Sequence, residues 1–385
     1  MRCQSAYPTR LVSRFVAPAL TALLCIATGR AAPGPIAIKL PSKCPSGIAV
    51  NDRIPVEFYP AVGASRAPAV VILHLLGERK MRTWRAFGKY LAHYGIGAAV
   101  MTLPYHMERT PRREPSGGRF LSPNAAVAAQ AYEQAISDTS TVAAWLADQP
   151  GVDPSRIGVV GVSLGAIIAH AAMGRDARLS AGVAFLGGGD LIGIRQRSLL
   201  FRLWSAPVPN DAAERLASVD PLTYAGRNRP RRVLMVEAAR DELVPPRYAR
   251  RLWEALGRPP IRWVDTNHFA LSWSPAEAMR ASKEYLQSVW TPGAEPSVPA
   301  VRVITVTVGL VFGLDSLGSL AAQWQAVPLG HKRDHTAAYH LDLGLGTRGG
   351  FVELAASQGR HLDIGLARRF GGRAVRPVIT LKETF

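Results

Sequence analysis

The chain has 385 residues, 48% of them hydrophobic, with 29 prolines and 35 glycines spread along its length. That is enough apolar material for one large domain and a small second one, and it excludes a disordered or collagen-like chain. Its 46 lysines and arginines against 28 acids give a net charge of +18, which favours anionic surfaces. The cations are scattered rather than interleaved with aromatic residues, so nucleic acid is not an expected partner.

Residues 1–32 read as a signal peptide. Arg2, Arg10 and Arg14 lead into FVAPALTALLCIA, an apolar run too short to span a bilayer and followed by small residues. Export to the periplasm or the medium is expected, with outer-membrane association left open. Cleavage after Gly29 or Ala32 would leave Cys44 alone, so no internal disulfide is expected.

Over residues 33–291 short apolar runs alternate with longer helical ones, the pattern of an α/β fold on a mostly parallel sheet. The predicted strands are VVILHLL (70–76), GAAVMTL (97–103), RIGVVGV (156–162), AGVAFLG (181–187), RRVLMVE (231–237) and IRWVDT (261–266). LSPNAAVAAQAYEQAISDTSTVAAWLAD predicts a long helix capped by Ser122, with Pro123 at its first position. PPRYARRLWEAL and SPAEAMRASKEYLQSVW predict two more, the second beginning after Ser274. Residues 190–217 fall between strands and form a candidate cap over a site.

A linker at 292–300 leads into a region, 301–385, where the period becomes two. Ala337, Tyr339, Leu341, Leu343 and Leu345 alternate with polar or small residues, as do Leu362, Ile364 and Leu366. Glycine-containing breaks at 346–350, 357–360 and 371–373 predict hairpins, and so a small antiparallel β meander. Ile379 and Leu381 continue the alternation to a terminal Phe385, as in outer-membrane strands. Five or six strands are nevertheless fewer than the roughly eight of the smallest single-chain membrane barrels. A soluble accessory domain is expected, with membrane-surface association or insertion by several copies left open. Gly344, Gly346 and Gly349 spell G-x-G-x-x-G, but strands flank them, so a hairpin turn accounts for them better than a dinucleotide site. His331, Asp334, His335 and His340 lack metal-site spacing, and neither metal nor cofactor is expected.

In GVVGVSLGAIIAHAA (158–172) Ser163 stands between a predicted strand and a helix-compatible run, as the serine of G-x-S-x-G. The glycines leave room for a sharp strand-to-helix turn that exposes the hydroxyl. Serine is a weak nucleophile alone and needs a base, oriented in turn by a carboxylate. Asp241 in VEAARDELVPP and His268 in VDTNHFAL each follow a later predicted strand, in the chain order this motif requires. His106 and Glu108 follow a strand end at the same edge, and His106 is a candidate substrate contact. His170, on the helix after the elbow, is expected to face the core or to be a satisfied helix residue.

Four phrases in sequence, VDPSRIGVVGVSLGA (152–166), SVDPLTYA (218–225), VLMVEAARDELVPP (233–246) and NHFAL (267–271), resemble matching segments of the α/β-hydrolase fold. The resemblance covers residues 54–290 and is nearest to the dienelactone-hydrolase-like and acetyl-esterase-like branches. It implies a doubly wound sheet, Ser163 as nucleophile, Asp241 as acid and His268 as base. The implied substrate is a small-molecule or acylated ester, cleaved through an acyl-enzyme. Dienelactone hydrolases carry cysteine at the elbow, so serine here points to ester or related acyl hydrolysis. HLLG (74–77) replaces the glycine-rich loop of HGGG-type esterases, and the oxyanion hole is assigned to the N–H of Leu164 with that of Leu75 or Leu76. A non-catalytic scaffold, and an acyltransferase or amidase using the same triad, remain as alternative readings.

Overall fold

The computed structural model describes residues 34–384 except 64, 199–209, 230, 304–305, 314–315, 329–338, 347–348, 358–361 and 371–374. The signal segment, His331, Asp334, His335 and Phe385 lie outside the described residues.

Two strands that the sequence reading does not contain open the fold. They are β1 (Ile36–Pro41) and β2 (Arg53–Tyr59), an antiparallel pair with Ile36 opposite Phe58. The remaining strands of this sheet are β3 (Ala67–Leu73), β4 (Gly97–Met101), β5 (Val152–Val162), β6 (Leu179–Phe185), β7 (Arg232–Ala238) and β8 (Ile261–Val264), all overlapping the predicted runs. The order is β1-β2-β4-β3-β5-β6-β7-β8, parallel from β4 to β8. Helices α1 (Arg82–His93), α2 (Ala125–Ala147), α3 (Leu164–Arg175), α4 (Leu191–Arg197), α5 (Asn210–Val219), α6 (Pro221–Asn228), α7 (Pro246–Ala255), α8 (His268–Ser272) and α9 (Pro275–Trp290) complete this part of the chain.

The central strands are apolar at consecutive positions because helices cover both sides. Ala69, Val71 and Leu73 join one core with α2 and α3, while Val70 and Ile72 join the other with Phe87 of α1 and Tyr285 of α9. Since β4 lies on one side of β3 and β5 on the other, the winding reverses at β3. The loops after β3 and β5 therefore leave the carboxyl ends of the strands at the switch point, where open α/β sheets place their sites.

The long helix departs from expectation at its start. Asn124, not Ser122, is its cap, with the Asn124 side chain accepting from the amides of Ala126 and Val127. Asparagine caps as well as serine and stands directly before the alanine-rich run, whereas Ser122 closes the 3₁₀ turn Gly118–Leu121. Of the candidate cap, α4 and the start of α5 are described, and 199–209 are not.

The C-terminal strands are β9 (Val306–Gly313), β10 (Ser316–Pro328), β11 (Tyr339–Gly346), β12 (Gly349–Ser357), β13 (Leu362–Arg369) and β14 (Val375–Thr384). They pair antiparallel in chain order, and the glycine motif is a hairpin with Gly346 opposite Gly349. The meander goes one step further than the sequence reading, because β14 returns to β9 and closes a six-stranded barrel. Glycine makes so narrow a closure feasible: a Cβ on Gly365 would lie 2.6 Å from the Leu354 carbonyl oxygen.

A buried ionic network fixes the segment after β4. Arg109 has no exposed surface; it donates to the carbonyl oxygens of Asn51 and Thr102 and forms a 2.7 Å ion pair with Asp138. The Ser42 hydroxyl donates to the other Asp138 oxygen at 2.6 Å. Arg109→Met is expected to lower unfolding free energy in urea by about 3–5 kcal/mol, because Asp138 would remain buried without its partner. Adding Asp138→Leu is expected to restore most of the loss; a double variant no more stable than the single one would contradict this account.

Candidate active site

Ser163 sits between β5 and α3 with φ 55° and ψ −114°, a positive φ that side chains rarely adopt. The two flanking glycines permit it. A Cβ on Gly161 would stand 2.2 Å from the Gly165 oxygen, and a Cβ on Gly165 would stand 2.3 Å from the Leu73 oxygen. The elbow therefore folds tightly on itself and presses against the end of β3. Ser163 N–H donates to Phe185 O at 2.8 Å, tying the turn to β6.

Asp241 and His268 leave the ends of β7 and β8 and reach the same point. The Ser163 hydroxyl lies 2.9 Å from His268 Nε2, and His268 Nδ1–H donates to Asp241 Oδ2 at 2.7 Å. The other Asp241 oxygen accepts from the amides of Leu243 and Val244 at 2.9 and 2.7 Å, which fixes the carboxylate plane. Asn267 caps the short helix α8, holding His268 at its first position. Asp241 and His268 are buried, and the structure thus brings together all three residues singled out in the sequence.

The loop after β3 is held by two buried histidines. His74 Nδ1–H donates to Leu75 O at 2.8 Å, and His74 Nε2 accepts from Leu103 N–H at 3.0 Å. His106 Nδ1–H donates to Pro104 O at 2.8 Å, and its Nε2 accepts from Gly77 N–H at 3.1 Å. Each ring faces a carbonyl at one nitrogen and an amide at the other, so each is the neutral Nδ1–H tautomer. Burial pushes His74 down to about 4; burial and then the neighbouring His74 push His106 down to about 3. Because C=O and N–H of a trans peptide point oppositely, turning Leu75 O toward His74 turns the Leu76 N–H away from it. The Gly77 amide is already committed. Among the described residues, no protein acceptor takes the amides of Leu75, Leu76 or Leu164.

His106 requires a correction. It has no exposed surface and lies against His74 and Phe120, while a Cβ on Gly117 would stand 2.4 Å from its Nε2. Substrate cannot reach this ring; the 3₁₀ segment folds over it, and its role is to hold the Gly77 amide. His170 is in the core as expected, with neither ring nitrogen hydrogen-bonded, and burial pushes it down to about 4.

Glu237 is a feature the sequence reading missed. It is buried on β7, four residues before Asp241, and accepts from Gly187 N–H at 3.3 Å. Burial, with the Asp241 charge second, raises its carboxyl well above the ordinary range. The available signal was a glutamate inside the apolar strand VLMVEA. Phe269 and Trp273 were missed as well. They are 37% and 72% exposed and lie just past His268, with ring centroids 5.9 Å apart. Among the described residues no group of three His, Cys, Asp or Glu side chains is arranged to hold a metal ion.

The prolyl oligopeptidase family model matches residues 124–277, a span that includes Ser163, Asp241 and His268. In structure the chain is similar to 2,6-dihydroxy-pseudo-oxynicotine hydrolase, with TM-score 0.50 and 17% identity over 70% of this chain and 71% of that one. It is also similar to a puromycin-hydrolysing peptidase of Mycobacterium tuberculosis, with TM-score 0.52 and 20% identity. That likeness covers 70% of this chain but only 41% of the peptidase. No curated protein gives a significant match.

The buried neutral histidines make stability depend on pH. Their folded values, about 4 for His74 and His170 and about 3 for His106, lie below the ordinary 6.5 of the unfolded chain. Below about pH 6.5 the unfolded chain therefore binds protons that the folded chain does not, and stability falls as pH falls toward 4. With all three rings contributing, the slope reaches about 4 kcal/mol per pH unit. Urea denaturation at pH 7 and 5 is expected to show this loss, and His170→Leu, which removes no hydrogen bond of the ring, is expected to reduce the slope by about a third. An unchanged slope in that variant would contradict the assignment.

Proposed function

We propose that this chain, a member of the α/β-hydrolase superfamily, is a serine hydrolase that cleaves a carboxylic ester through an acyl-enzyme. The observation that carries the reading is the unbroken hydrogen-bonded line from Asp241 through His268 to Ser163, with steps of 2.7 and 2.9 Å. His268 Nε2 takes the hydroxyl proton as Ser163 Oγ attacks the carbonyl carbon, and Asp241 holds the resulting imidazolium in place. The amides of Leu164 and of Leu75 or Leu76 receive the negative oxygen. His268 then returns its proton to the departing alcohol and accepts one from water as the hydroxide attacks the acyl carbon; as the acyl–Oγ bond breaks, His268 gives that proton to Ser163 and the acid leaves. Phe269 and Trp273 offer an apolar face beside His268 for one arm of the ester. The basic start and short apolar run at the N-terminus support export of this activity from the cytoplasm.

The match to the prolyl oligopeptidase family favours a second reading, cleavage of an amide in a small peptide. The same groups serve, but the leaving nitrogen must receive its proton from His268 before the tetrahedral intermediate collapses.

Turnover of p-nitrophenyl acetate and butyrate, compared with p-nitroanilides of the same acyl groups, tests both readings. Ester hydrolysis is expected to be the faster reaction. Ser163→Ala is expected to lower kcat by about 10⁴–10⁶-fold and Asp241→Asn by about 10⁴-fold, with unchanged circular dichroism. Anilide turnover matching the ester would favour the amide reading, and folded wild-type protein inert toward all four would contradict both.

A further inference from the structure

On three strands of the barrel large apolar side chains are exposed. On β12 Glu353 has no exposed surface, while the adjacent Leu354 is 46% exposed. Ile364 and Leu366 on β13 are 50% and 51% exposed, and Ile379 on β14 is 47% exposed next to buried Val378. The register sets Leu354 opposite Leu366 and Ile364 opposite Ile379, so these four form neighbouring rows across three strands. The pairing continues to apolar positions on the other strands: Leu341 opposite Leu354, Phe312 opposite Ile379, and Leu310 opposite both Leu381 and Leu320.

We propose that this barrel lies in the hydrocarbon layer of a lipid bilayer and anchors the hydrolase domain to the membrane. A protein partner would cover one side of the barrel, but the register carries apolar sequence positions from these rows on to the other strands of a sheet closed without an edge, and lipid meets such a sheet on every side. Closure also satisfies the backbone between strands, which a bilayer requires. Strands of 8 to 13 residues bracket the about 9–11 of a tilted membrane strand, with β9, β11 and β13 one residue short of it. Phe351, Glu353, Ala355 and Val378 are buried within the closed sheet, and Gly365 has no room for a side chain. Six strands therefore give a filled anchor rather than a pore, below the roughly eight strands of the smallest single-chain outer-membrane barrels. Arg368, exposed and one row beyond Leu366, is a cation suited to anionic headgroups. The inference rests on the barrel and is independent of the ester reading.

The test is flotation of the purified full chain with vesicles of phosphatidylcholine and phosphatidylglycerol, followed by high-salt and alkaline carbonate washes. Wild-type protein is expected to float and to resist both washes. Replacing Leu354, Ile364 and Ile379 together with lysine is expected to lower the bound fraction by at least about tenfold per position, whereas Val50→Lys, at an exposed position of the hydrolase domain, is expected to change nothing. As a check that does not depend on folding of the triple variant, an environment-sensitive fluorophore on Leu366→Cys, with native cysteines changed to serine, should shift to the blue on vesicle addition. The same label on Val50→Cys should not. Wild-type protein that stays soluble and unbound without detergent, as monomer or oligomer, would overturn the proposal. So would a triple variant that floats like wild type, since the N-terminal apolar run would then explain binding, or a label at 366 blind to vesicles.

Discussion

The backbone of Ser163 is held at φ 55°, a conformation worth about 1–3 kcal/mol of strain for a residue with a side chain, and much of the surrounding structure serves to maintain it. Two strand ends and a helix start must meet without side chains between them, which is why Gly161 and Gly165 flank the serine. The Phe185 carbonyl restrains the turn from one side and the end of β3 presses on it from the other. The parallel sheet then fixes where the partners arrive. Asp241 and His268 leave β7 and β8 at the same edge as the elbow, so short loops suffice to bring them to hydrogen-bonding distance.

Around this turn the protein places titratable groups in uncharged form. His74 and His106 act as fixed donor and acceptor pairs for the backbone of the 74–77 loop, and Glu237, whose carboxyl burial raises well above the ordinary range, accepts from Gly187 N–H. Neutral groups avoid the desolvation cost of buried charge while still holding the peptide planes. Loop amides held this way are oriented before any substrate binds, and preorganised dipoles of this kind stabilise charge developing in a transition state most effectively. Arg109 extends the same support outward by clamping the segment that carries His106.

The placing of the three side chains was legible because it is local. Ser163, Asp241 and His268 each follow an apolar strand in a recognisable phrase, and a parallel sheet brings successive strand ends to one edge. His106 was misread because it too follows a strand end; nothing nearby in sequence shows that Gly117 and Phe120 return to cover it. The β1 strand was missed because, in IAIKLP, the residues are exposed or only partly buried, leaving no clean apolar run. Barrel closure was equally invisible, since pairing of Leu381 with Leu310 joins positions far apart in the chain. The alternation of the tail was read correctly as strands, but sequence alone did not show which face is buried.

The central claim, that Ser163 is an activated nucleophile, is tested most directly by mass spectrometry after reaction of the native protein with a fluorophosphonate. The account predicts one adduct, located on the peptide containing Ser163, absent in Ser163→Ala and strongly reduced in His268→Ala. An adduct at another residue, or none in folded wild-type protein, would contradict it and leave the hydrogen-bonded line from Asp241 to Ser163 without a catalytic role.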